Sequence, residues 1–238
     1  MKAVIMAGGK GLRLRPFTTV LPKPLMPVGD LPILEILLRQ LARAGVEEAI
    51  ISIGYLGSLI RSYLDHSAIS RRIRIRYHSE EEPLGTAGAI GSIEGLDAPF
   101  FVMNGDILTT MDFGAMYRGH LETGAELTVG VVQHRTRIEL GVLTLAEGGR
   151  IVGYDEKPTR IDDASMGVYV YSPSVRDLIP PNTYLDAPTI VLKLIEQGRD
   201  VRAFVPNALW LDLGNQGELE RAQTVFSENL AAFLPEGL

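Results

Sequence analysis

The first half of the chain carries the hydrophobic pattern of alternating strands and helices. A run of strand length, Ala3 to Ala7, precedes a long proline-rich stretch, and apolar residues then recur from Ile33 to Ala44 at a spacing close to 3.6. That spacing predicts an amphipathic helix, with Asp30 as its N-terminal cap. A second apolar run, Glu48 to Gly54, predicts a buried strand. The chain therefore opens as strand, helix, strand.

The same alternation continues further along the chain. Leu56 to Leu64 predicts a helix, Arg72 to Tyr77 an alternating strand, and Pro99 to Asp106 an apolar strand with a polar end. Asp112 is the predicted cap of a helix that runs to Thr123. Strands separated by helices pair in parallel through right-handed crossovers. This half of the chain therefore predicts a parallel sheet covered by helices.

The pattern changes in the second half from strand–helix to strand–strand. Gly141 to Leu145 and Ile151 to Asp155 predict a hairpin, because Gly148 and Gly149 stand between them. The polar stretch Gln133 to Glu139 predicts a loop. The other predicted elements are strands at 126–132, 164–172, 201–205 and 209–213, a helix over 187–197 capped by Asp186, and a final helix begun by Asn215 with Glu218.

Together these elements predict an α/β fold, a Rossmann-like and mostly parallel sheet flanked by helices, with a β-rich subregion in the second half. We expect a single domain over residues 1–238. In open sheets of this kind, ligands bind at the carboxyl ends of the strands. Polar residues that directly follow a strand are therefore the first candidates for function.

The composition narrows the class of protein. The chain has 238 residues, of which 46% are hydrophobic, no cysteine and a formal net charge of −6. Such a hydrophobic fraction supports a full core, and the lack of cysteine excludes thiolate metal sites and fits the cytoplasm, where we expect the protein. The net charge argues against non-specific nucleic-acid binding. No apolar run approaches the roughly 18 residues of a membrane span, and Met1 leads directly into a strand, so we expect no signal peptide.

Three arginines on one face of the predicted strand at 72–77 are the single basic pattern that suggests nucleic acid. They are Arg72, Arg74 and Arg76. A solvated strand face explains the same alternation, and we favour that explanation. Oligomeric state stays open, homo-oligomer included, because no exposed apolar stripe stands out.

Positive charge is concentrated in the segment after the first strand. Gly8, Gly9 and Gly11 follow that strand, and Arg13 and Lys23 come next among several prolines. Backbone N–H groups of a glycine-rich turn can cradle phosphate oxygens, and arginine and lysine supply the charge that a polyphosphate requires. A tight turn without a ligand is the alternative explanation for the glycines alone. The glycines together with the two cations favour a phosphate site.

Two common phosphate motifs are excluded by the spacing. A Walker loop requires Ser or Thr after Gly-Lys, whereas Gly11 follows Lys10. The dinucleotide fingerprint requires a third glycine where Leu14 stands.

Two further stretches place polar residues after predicted strands. In the run from Glu80 to Gly91, Thr86 is a predicted helix cap, and the small residues allow close approach to the backbone. Tight helix-on-sheet packing and a solvated acidic loop are the alternatives there. Asp106 ends the apolar strand that begins at Pro99, so its carboxylate must be paired, capping a helix or bound to a metal.

At this point the chain resembles the sugar-1-phosphate nucleotidylyltransferases. Their signature, Gly-Gly-x-Gly-Thr-Arg-Leu-x-Pro-x-Thr followed by Pro-Lys-Pro, is matched by residues 8–18 and 22–24. Leu12 replaces the threonine, so a hydroxyl that reaches a phosphate is missing. The resemblance covers nearly the whole chain. It implies a catalytic unit alone, without the hexapeptide-repeat β-helix into which longer members continue.

Later segments add to the resemblance. Leu84 to Gly88 is similar to the family's nucleobase and ribose loop, Glu156-Lys157 to its Glu-Lys-Pro, residues 166–169 to its Ala-Gly-Ile-Tyr, and residues 210–214 to its Trp-x-Asp-Ile-Gly. Gly141 follows Leu140 where the family has tyrosine. A surface ion pair is the alternative for Glu156 and Lys157, and a strand-end aspartate bonded to backbone is the alternative for Asp212.

The resemblance implies the following roles. Residues 1–125 would be the nucleotide-binding half and residues 126–238 the sugar-phosphate-binding half. Nucleotide-binding residues would be Ala7, Gly8, Gly9, Gly11, Arg13, Glu80, Gly85, Thr86, Gly88 and Asn104. Sugar-phosphate-binding residues would be Lys23, Gly141, Glu156, Lys157, Gly167 and Tyr169. Arg13, Lys23 and Asp106 would be catalytic, and Asp106 with Asp212 would hold Mg²⁺.

The implied reaction joins an NTP and a sugar 1-phosphate into an NDP-sugar and pyrophosphate, by in-line attack on the α-phosphorus. The run from Glu80 to Gly88 looks most like guanylyltransferases for mannose- or heptose-type phosphates. Two alternatives stay open: a non-catalytic nucleotide-sugar-binding relative, and a nucleotidyltransferase for a non-sugar phosphate.

Overall fold

The computed structural model describes residues 1–235. The strands within that range are, in chain order, β1 Lys2–Ala7, β2 Pro27–Val28, β3 Leu31–Pro32, β4 Glu48–Ile53, β5 Arg74–Ser79, β6 Phe100–Asn104, β7 Ile107–Thr109, β8 Leu127–Arg137, β9 Val142–Leu145, β10 Ile151–Asp155, β11 Thr159–Tyr171, β12 Val201–Phe204 and β13 Trp210–Asp212. The α-helices are α1 Ile33–Arg43, α2 Gly57–His66, α3 Phe113–Thr123, α4 Pro173–Arg176, α5 Ala187–Glu196, α6 Gln216–Glu228 and α7 Leu230–Phe233.

Seven strands form one sheet in the order β12-β8-β11-β6-β1-β4-β5. β4 and β6 are parallel to β1, β5 is parallel to β4, and β12 is parallel to β8. β11 runs antiparallel to both of its neighbours, β6 and β8. The prediction of a mostly parallel α/β sheet is thus confirmed.

The core lies on both faces of this sheet, and β1 is at its centre. Ala3 and Ile5 point to the face covered by α1, α2 and α3, whereas Val4 points to the face covered by α5. Each of these three side chains is 0% exposed. Burying a Val or Ile side chain stabilises a fold by about 1.5–3 kcal/mol. The residues after β1 therefore start from a rigid platform.

A short antiparallel pair brings a distant part of the chain to the carboxyl end of β6. β13 pairs with β7, so that Asp212 lies opposite Ile107 and close to Asp106. A third apolar cluster, with Leu211 and Leu213 beside Phe226 of α6, holds this pair in place.

The prediction of a loop from Gln133 to Glu139 is wrong. β8 continues through Arg137 and pairs with the first residues of β11, from Thr159 to Asp163. Both faces of this ribbon are solvated, so its side chains alternate between two polar surroundings and no hydrophobic period marks the strand.

Two predicted helix caps are also wrong, and a third is right only in its position. Pro32, and not Asp30, precedes α1 as its cap residue. Thr86 does not cap a helix of its own segment, and its hydroxyl accepts a hydrogen bond from Ala187 N at 2.9 Å. Asp186 occupies the N-cap position of α5 as predicted, but its side chain makes no capping bond there. The caps by Asp112 and Asn215 are confirmed, because their side chains accept from Ala115 N and Glu218 N.

The arginines of β5 are occupied by an internal carboxylate. Arg74 Nε and Arg76 Nε lie 3.8 and 3.4 Å from Glu48 Oε1. Arg72 precedes the strand. The three arginines therefore do not form a continuous basic face on one strand.

The β9–β10 hairpin is confirmed. It forms a separate two-stranded sheet beside the large one, whereas β8, β11 and β12 join the same sheet as β1. None of the helices described within residues 1–235 has the length and hydrophobicity needed to span a bilayer.

Candidate functional site

A cavity of about 610 Å³ lies at the carboxyl ends of β1 and β6. The sequence-predicted site residues that line it are Ala7, Gly8, Gly9, Gly11, Arg13, Lys23, Glu80, Gly85, Thr86, Asn104 and Asp106. The structure therefore brings together residues that are up to about a hundred positions apart at the edge where parallel sheets bind ligands.

The glycine loop presents free N–H groups to this cavity. Gly11 has φ +58°, and a Cβ there would lie 2.9 Å from Thr18 Cγ2. Its carbonyl accepts hydrogen bonds from Leu14 N at 2.9 Å and from Thr18 Oγ1 at 2.8 Å. Within residues 1–235, the N–H groups of Gly9, Lys10 and Gly11 have no acceptor. The Gly11 carbonyl is thus satisfied internally, while the three N–H donors are left for a ligand.

Lys23 lies at the centre of the charged part of the site. It is 8% exposed, and its ammonium contacts the Asp106 carboxylate and lies 3.8 Å from Asp212 Oδ1. A lysine at this depth requires a paired anion. The prolines at 22 and 24 flank it and restrict the backbone that carries it.

Arg13 supplies a second and more accessible cation. Its side chain is exposed and lines the cavity. A Cβ at Gly214 would lie 3.1 Å from Arg13 Nη1 and 3.2 Å from Asp212 Oδ2. Gly214 therefore gives Arg13 room beside the Asp212 segment. Across residues 1–235, Arg13 forms no ion pair, so its charge is available to a ligand.

Leu12 also lines the cavity, with 57% of its surface exposed. An apolar side chain thus stands where the related signature has a hydroxyl.

Glu80 is held in a defined position on another wall. It follows β5 directly and lies close to Gly8, whose Cβ position is 3.2 Å from Glu80 Oε1. Ser52 Oγ donates to Oε1 at 2.6 Å, and Leu84 N donates to Oε2 at 3.1 Å. Each carboxylate oxygen keeps a free lone pair, so Glu80 offers two fixed acceptors to the cavity.

Gly167 contacts the cavity through a neighbour. It has φ +72°, and a Cβ there would lie 2.6 Å from Asn104 Nδ2. Asn104 lines the cavity. Any larger residue at 167 would displace this amide from its position beside the cavity.

Several sequence-predicted residues lie outside the cavity lining. Gly88 packs on backbone, because a Cβ there would lie 2.1 Å from Thr183 O. Tyr169 is 6% exposed in the core, where burial raises its pKa. Gly141 packs beneath Tyr154 of the hairpin, and Glu156 and Lys157 are exposed after β10. For these five residues a substrate role stays a prediction.

The sequence reasoning missed two lining residues with polar side chains, Tyr184 and Asp186. They lie in the irregular segment between α4 and α5, which carries no hydrophobic period. Tyr184 Oη donates to Asp186 Oδ2 at 3.0 Å, and this hydrogen bond raises the tyrosine's pKa. Asp186 was assigned to a helix cap. In the sequence, the pair is visible only as a tyrosine two residues before an aspartate.

Asp106 and Asp212 suit a hard cation. Both reach the Lys23 ammonium, so their oxygens already converge on a position of positive charge. No group of three or more acidic, His or Cys side chains able to hold a metal occurs in the described part of the chain. Two carboxylates are the protein share of a typical Mg²⁺ site, in which phosphate oxygens and water complete the coordination. The donor set therefore fits Mg²⁺.

Comparison with known proteins places this site in a family. A family model described as Nucleotidyl transferase matches residues 2–228. Mannose-1-phosphate guanyltransferase beta-B of Xenopus laevis is 31% identical over 245 residues, an alignment covering 100% of this chain and 68% of that protein. The crystal structure of HddC from Yersinia pseudotuberculosis superposes on this one with a TM-score of 0.73 at 25% identity. The alignment covers 94% of this chain and 99% of the HddC chain. The structure of HddC complexed with GMP-PN has a TM-score of 0.72 at 24% identity, with the same coverage. Because the family match spans nearly the whole chain and includes the residues that line the cavity, this chain belongs to the nucleotidyl transferase family.

Proposed function

We propose that this enzyme transfers a nucleotidyl group from a nucleoside triphosphate to a sugar 1-phosphate, giving an NDP-sugar and pyrophosphate. The observation that carries the proposal is the set of unpaired donors in one cavity, the loop N–H groups and Arg13, beside the ion pair between buried Lys23 and Asp106. Donors that a protein leaves without internal partners suit a polyphosphate. The sugar phosphate is supported by the mannose-1-phosphate guanyltransferase among its relatives.

The reaction is an in-line displacement at phosphorus. A phosphate oxygen of the sugar 1-phosphate forms a bond to the α-phosphorus, the bond from that phosphorus to the bridging oxygen breaks, and pyrophosphate leaves. The nucleophile is already an anion near neutral pH, so the step requires no general base. In keeping with this, none of the four histidines lines the cavity. The protein's task is to position two anions and to stabilise the charge that develops between them.

Residues of the cavity, together with Glu156 and Lys157 beyond its lining, divide this task. The N–H groups of Gly9 and Gly11 and the Arg13 guanidinium bind the triphosphate oxygens. Lys23 exchanges its carboxylate partners for oxygens of the α-phosphate and the sugar phosphate. Lys157 holds the sugar phosphate from the far side, and Glu156 accepts hydrogen bonds from sugar hydroxyls.

Asp106 and Asp212 would hold Mg²⁺. The bound ion would offset the negative charge of the phosphates. The two carboxylates come from separate pieces of chain, the turn after β6 and the end of β13. Their pairing through β7 and β13 keeps them together before any ligand arrives.

GTP is the nucleotide that the Glu80 wall suits best. Guanine presents adjacent N1–H and N2–H donors, which match the two free acceptors of a carboxylate. Uracil and thymine place carbonyl oxygens beside their single ring N–H, and these would meet the carboxylate unfavourably. The name of the Xenopus laevis relative supports the same base.

The two alternatives have less support. A non-catalytic binding protein is favoured only by Leu12, whereas Arg13, Lys23, Asp106 and Asp212 are all present. An acceptor other than a sugar phosphate would leave Glu156 without a role. The proposal includes a cytoplasmic location and substrates that are small molecules, with no nucleic-acid or membrane partner.

The experiment is a matrix of pyrophosphate release with Mg²⁺, in which the four common ribonucleoside triphosphates and dTTP are each combined with several sugar 1-phosphates. We expect the strongest activity with GTP and mannose 1-phosphate or a heptose 1-phosphate. Activity with another base would overturn the assignment of Glu80. A matrix without activity, together with a rise in melting temperature on adding GTP, would favour the binding protein.

A further inference from the structure

The segment 183–187, between α4 and α5, is bound tightly to the loop 84–88. Leu185 N donates to Leu84 O at 3.0 Å, and Leu185 O accepts from Ala87 N at 2.9 Å and Gly88 N at 3.1 Å. A Cβ at Gly85 would lie 2.6 Å from Leu185 O. The two stretches therefore form one wall of the cavity, although they are about a hundred residues apart.

Asp186 has a place in this wall that helix capping does not explain. It makes no capping bond to α5, and the Thr86 hydroxyl accepts the Ala187 N–H instead. Asp186 Oδ1 accepts from Thr86 N at 3.0 Å, and Oδ2 accepts from Tyr184 Oη at 3.0 Å. Its carboxylate thus joins the loop at Thr86 to the ring of Tyr184.

Tyr184 is an exposed aromatic side chain that is nevertheless held in place. It is 65% exposed and lines the cavity. A free surface tyrosine would lose conformational entropy on meeting a ligand. The bond to Asp186 removes part of that cost in advance, which is how a preorganised binding surface behaves.

We propose that Tyr184 is a stacking platform for the nucleobase, and that Asp186 is the residue that positions its ring. This inference rests on the proposed function, because it requires a nucleotide in the cavity. The base is favoured over the sugar since Asp186 links Tyr184 to Thr86, and Gly85, Thr86 and Glu80 line the same cavity. The phosphate-binding charges belong to a different set of residues, Arg13, Lys23 and Asp106.

Stacking predicts a defined kinetic signature. The contact is made equally in the ground state and in the transition state, so its loss should raise the KM for nucleotide and leave kcat unchanged. Base–aromatic stacking is lost on alanine substitution at a cost corresponding to about tenfold or more in affinity. A phenylalanine keeps the ring and loses only the hydrogen bond to Asp186.

The test uses the full chain with GTP and mannose 1-phosphate, or the active pair found in the substrate matrix. We expect Tyr184→Ala to raise the KM for GTP about tenfold, Tyr184→Phe to raise it much less, and neither to change kcat or the KM for the sugar phosphate. Asp186→Ala should raise the KM for GTP more than Asp186→Asn, which keeps one acceptor. Tyr184→Leu is the matched control, since it keeps apolar bulk without an aromatic face and should behave like alanine.

A spectroscopic measurement separates stacking from simple space filling. In Tyr184→Trp, GTP should quench the added indole fluorescence beyond any change seen in the parent, whose single tryptophan is Trp210. An unchanged KM for GTP in Tyr184→Ala, with the parent active, would overturn this inference alone. A rise in the KM for the sugar phosphate instead would assign the ring to the sugar and overturn it as well. An inactive parent would overturn the proposed function itself.

Discussion

The cavity and the β9–β10 hairpin represent two ways of building a binding region. In the cavity, Lys23 is 8% exposed and Glu80 is fixed by two hydrogen bonds. On the hairpin, one face carries Leu143, Leu145, Ile151 and Tyr154, each at least 45% exposed. Glu156 and Lys157 are exposed just beyond it. The residues predicted for the nucleotide thus lie mostly in or beside packed structure, whereas three of those predicted for the sugar phosphate, Gly141, Glu156 and Lys157, are exposed.

The physical origin of the difference is the sheet. The loop after β1 extends from a strand that is buried on both faces, so its backbone has little freedom. The hairpin belongs to a separate two-stranded sheet, and an isolated hairpin is only marginally stable. We therefore expect the nucleotide to meet a nearly complete site, and the sugar phosphate to meet one whose groups order on binding.

The largest expected effect comes from removing a charge in the preformed cavity. Arg13→Ala, Lys23→Ala and Asp106→Ala should each lower turnover at least about a hundredfold, because each removes an electrostatic contact at the reacting phosphates. Pyrophosphate release measures this effect, and thermal unfolding checks that the fold is kept.

The control for the cavity charges is Arg15→Ala, which removes an exposed cation from the same loop outside the cavity lining. It should retain turnover close to that of the parent. Near-normal turnover in all three cavity variants would show that this region is not the site of the chemistry.

A smaller and more selective effect is expected on the exposed side. Lys157→Gln should raise the KM for the sugar phosphate about tenfold, since a charged hydrogen bond contributes roughly 1.5–3 kcal/mol, and should leave the KM for GTP unchanged. Arg160→Gln is the control, because it removes a nearby exposed charge that is paired with Asp162. Equal effects of the two variants would mean that general charge, and not Lys157 itself, binds the sugar phosphate.

Base selection tests the cavity wall more finely. Glu80→Gln should raise the KM for GTP about tenfold, because one charged acceptor becomes an amide donor, and should narrow the preference for GTP over UTP. Glu81→Gln changes the exposed neighbour, which is not part of the lining, and should have no effect. An unchanged base preference in Glu80→Gln would remove the carboxylate from base recognition.

The smallest effect concerns the stability of the fold and comes from His120, which joins α3 to the large sheet. His120 is 1% exposed, and burial lowers its pKa while its ring bonds Thr128 and Ser172. The unfolded chain therefore binds the His120 proton more readily than the folded chain does. The stabilisation that neutral, buried His120 gives the fold is complete above the unfolded pKa of about 6.5. It declines as the pH falls from there towards the folded pKa.

Denaturant unfolding at several pH values measures this decline. We expect His120→Gln to be less stable than the parent near neutral pH and to lose less stability on acidification. An identical pH dependence in both proteins would contradict the assignment.

Sequence reasoning succeeded where local pattern and position in the fold agree. β1 and the glycine loop were predicted because an apolar run of strand length is followed directly by three glycines and two cations. Asp106 followed from a carboxylate at the end of a buried strand. The predictions failed where the local pattern was missing or pointed to a different role from the one that the fold assigns. Gln133 to Glu139 has no hydrophobic period, and Asp186 has a capping residue's chemistry at a helix start, although its partners lie at Thr86 and Tyr184.

The linear chain determines which elements form, that the sheet is mostly parallel, and that cations and carboxylates follow its strands, because these depend on short-range periodicity and residue chemistry. Only the tertiary structure decides that Lys23 lies between Asp106 and Asp212, that Tyr169 is buried, and that segment 183–187 completes the wall beside Thr86. These outcomes depend on contacts between residues far apart in the chain. Such contacts are set by the register and twist of the sheet, and no local sequence pattern encodes them.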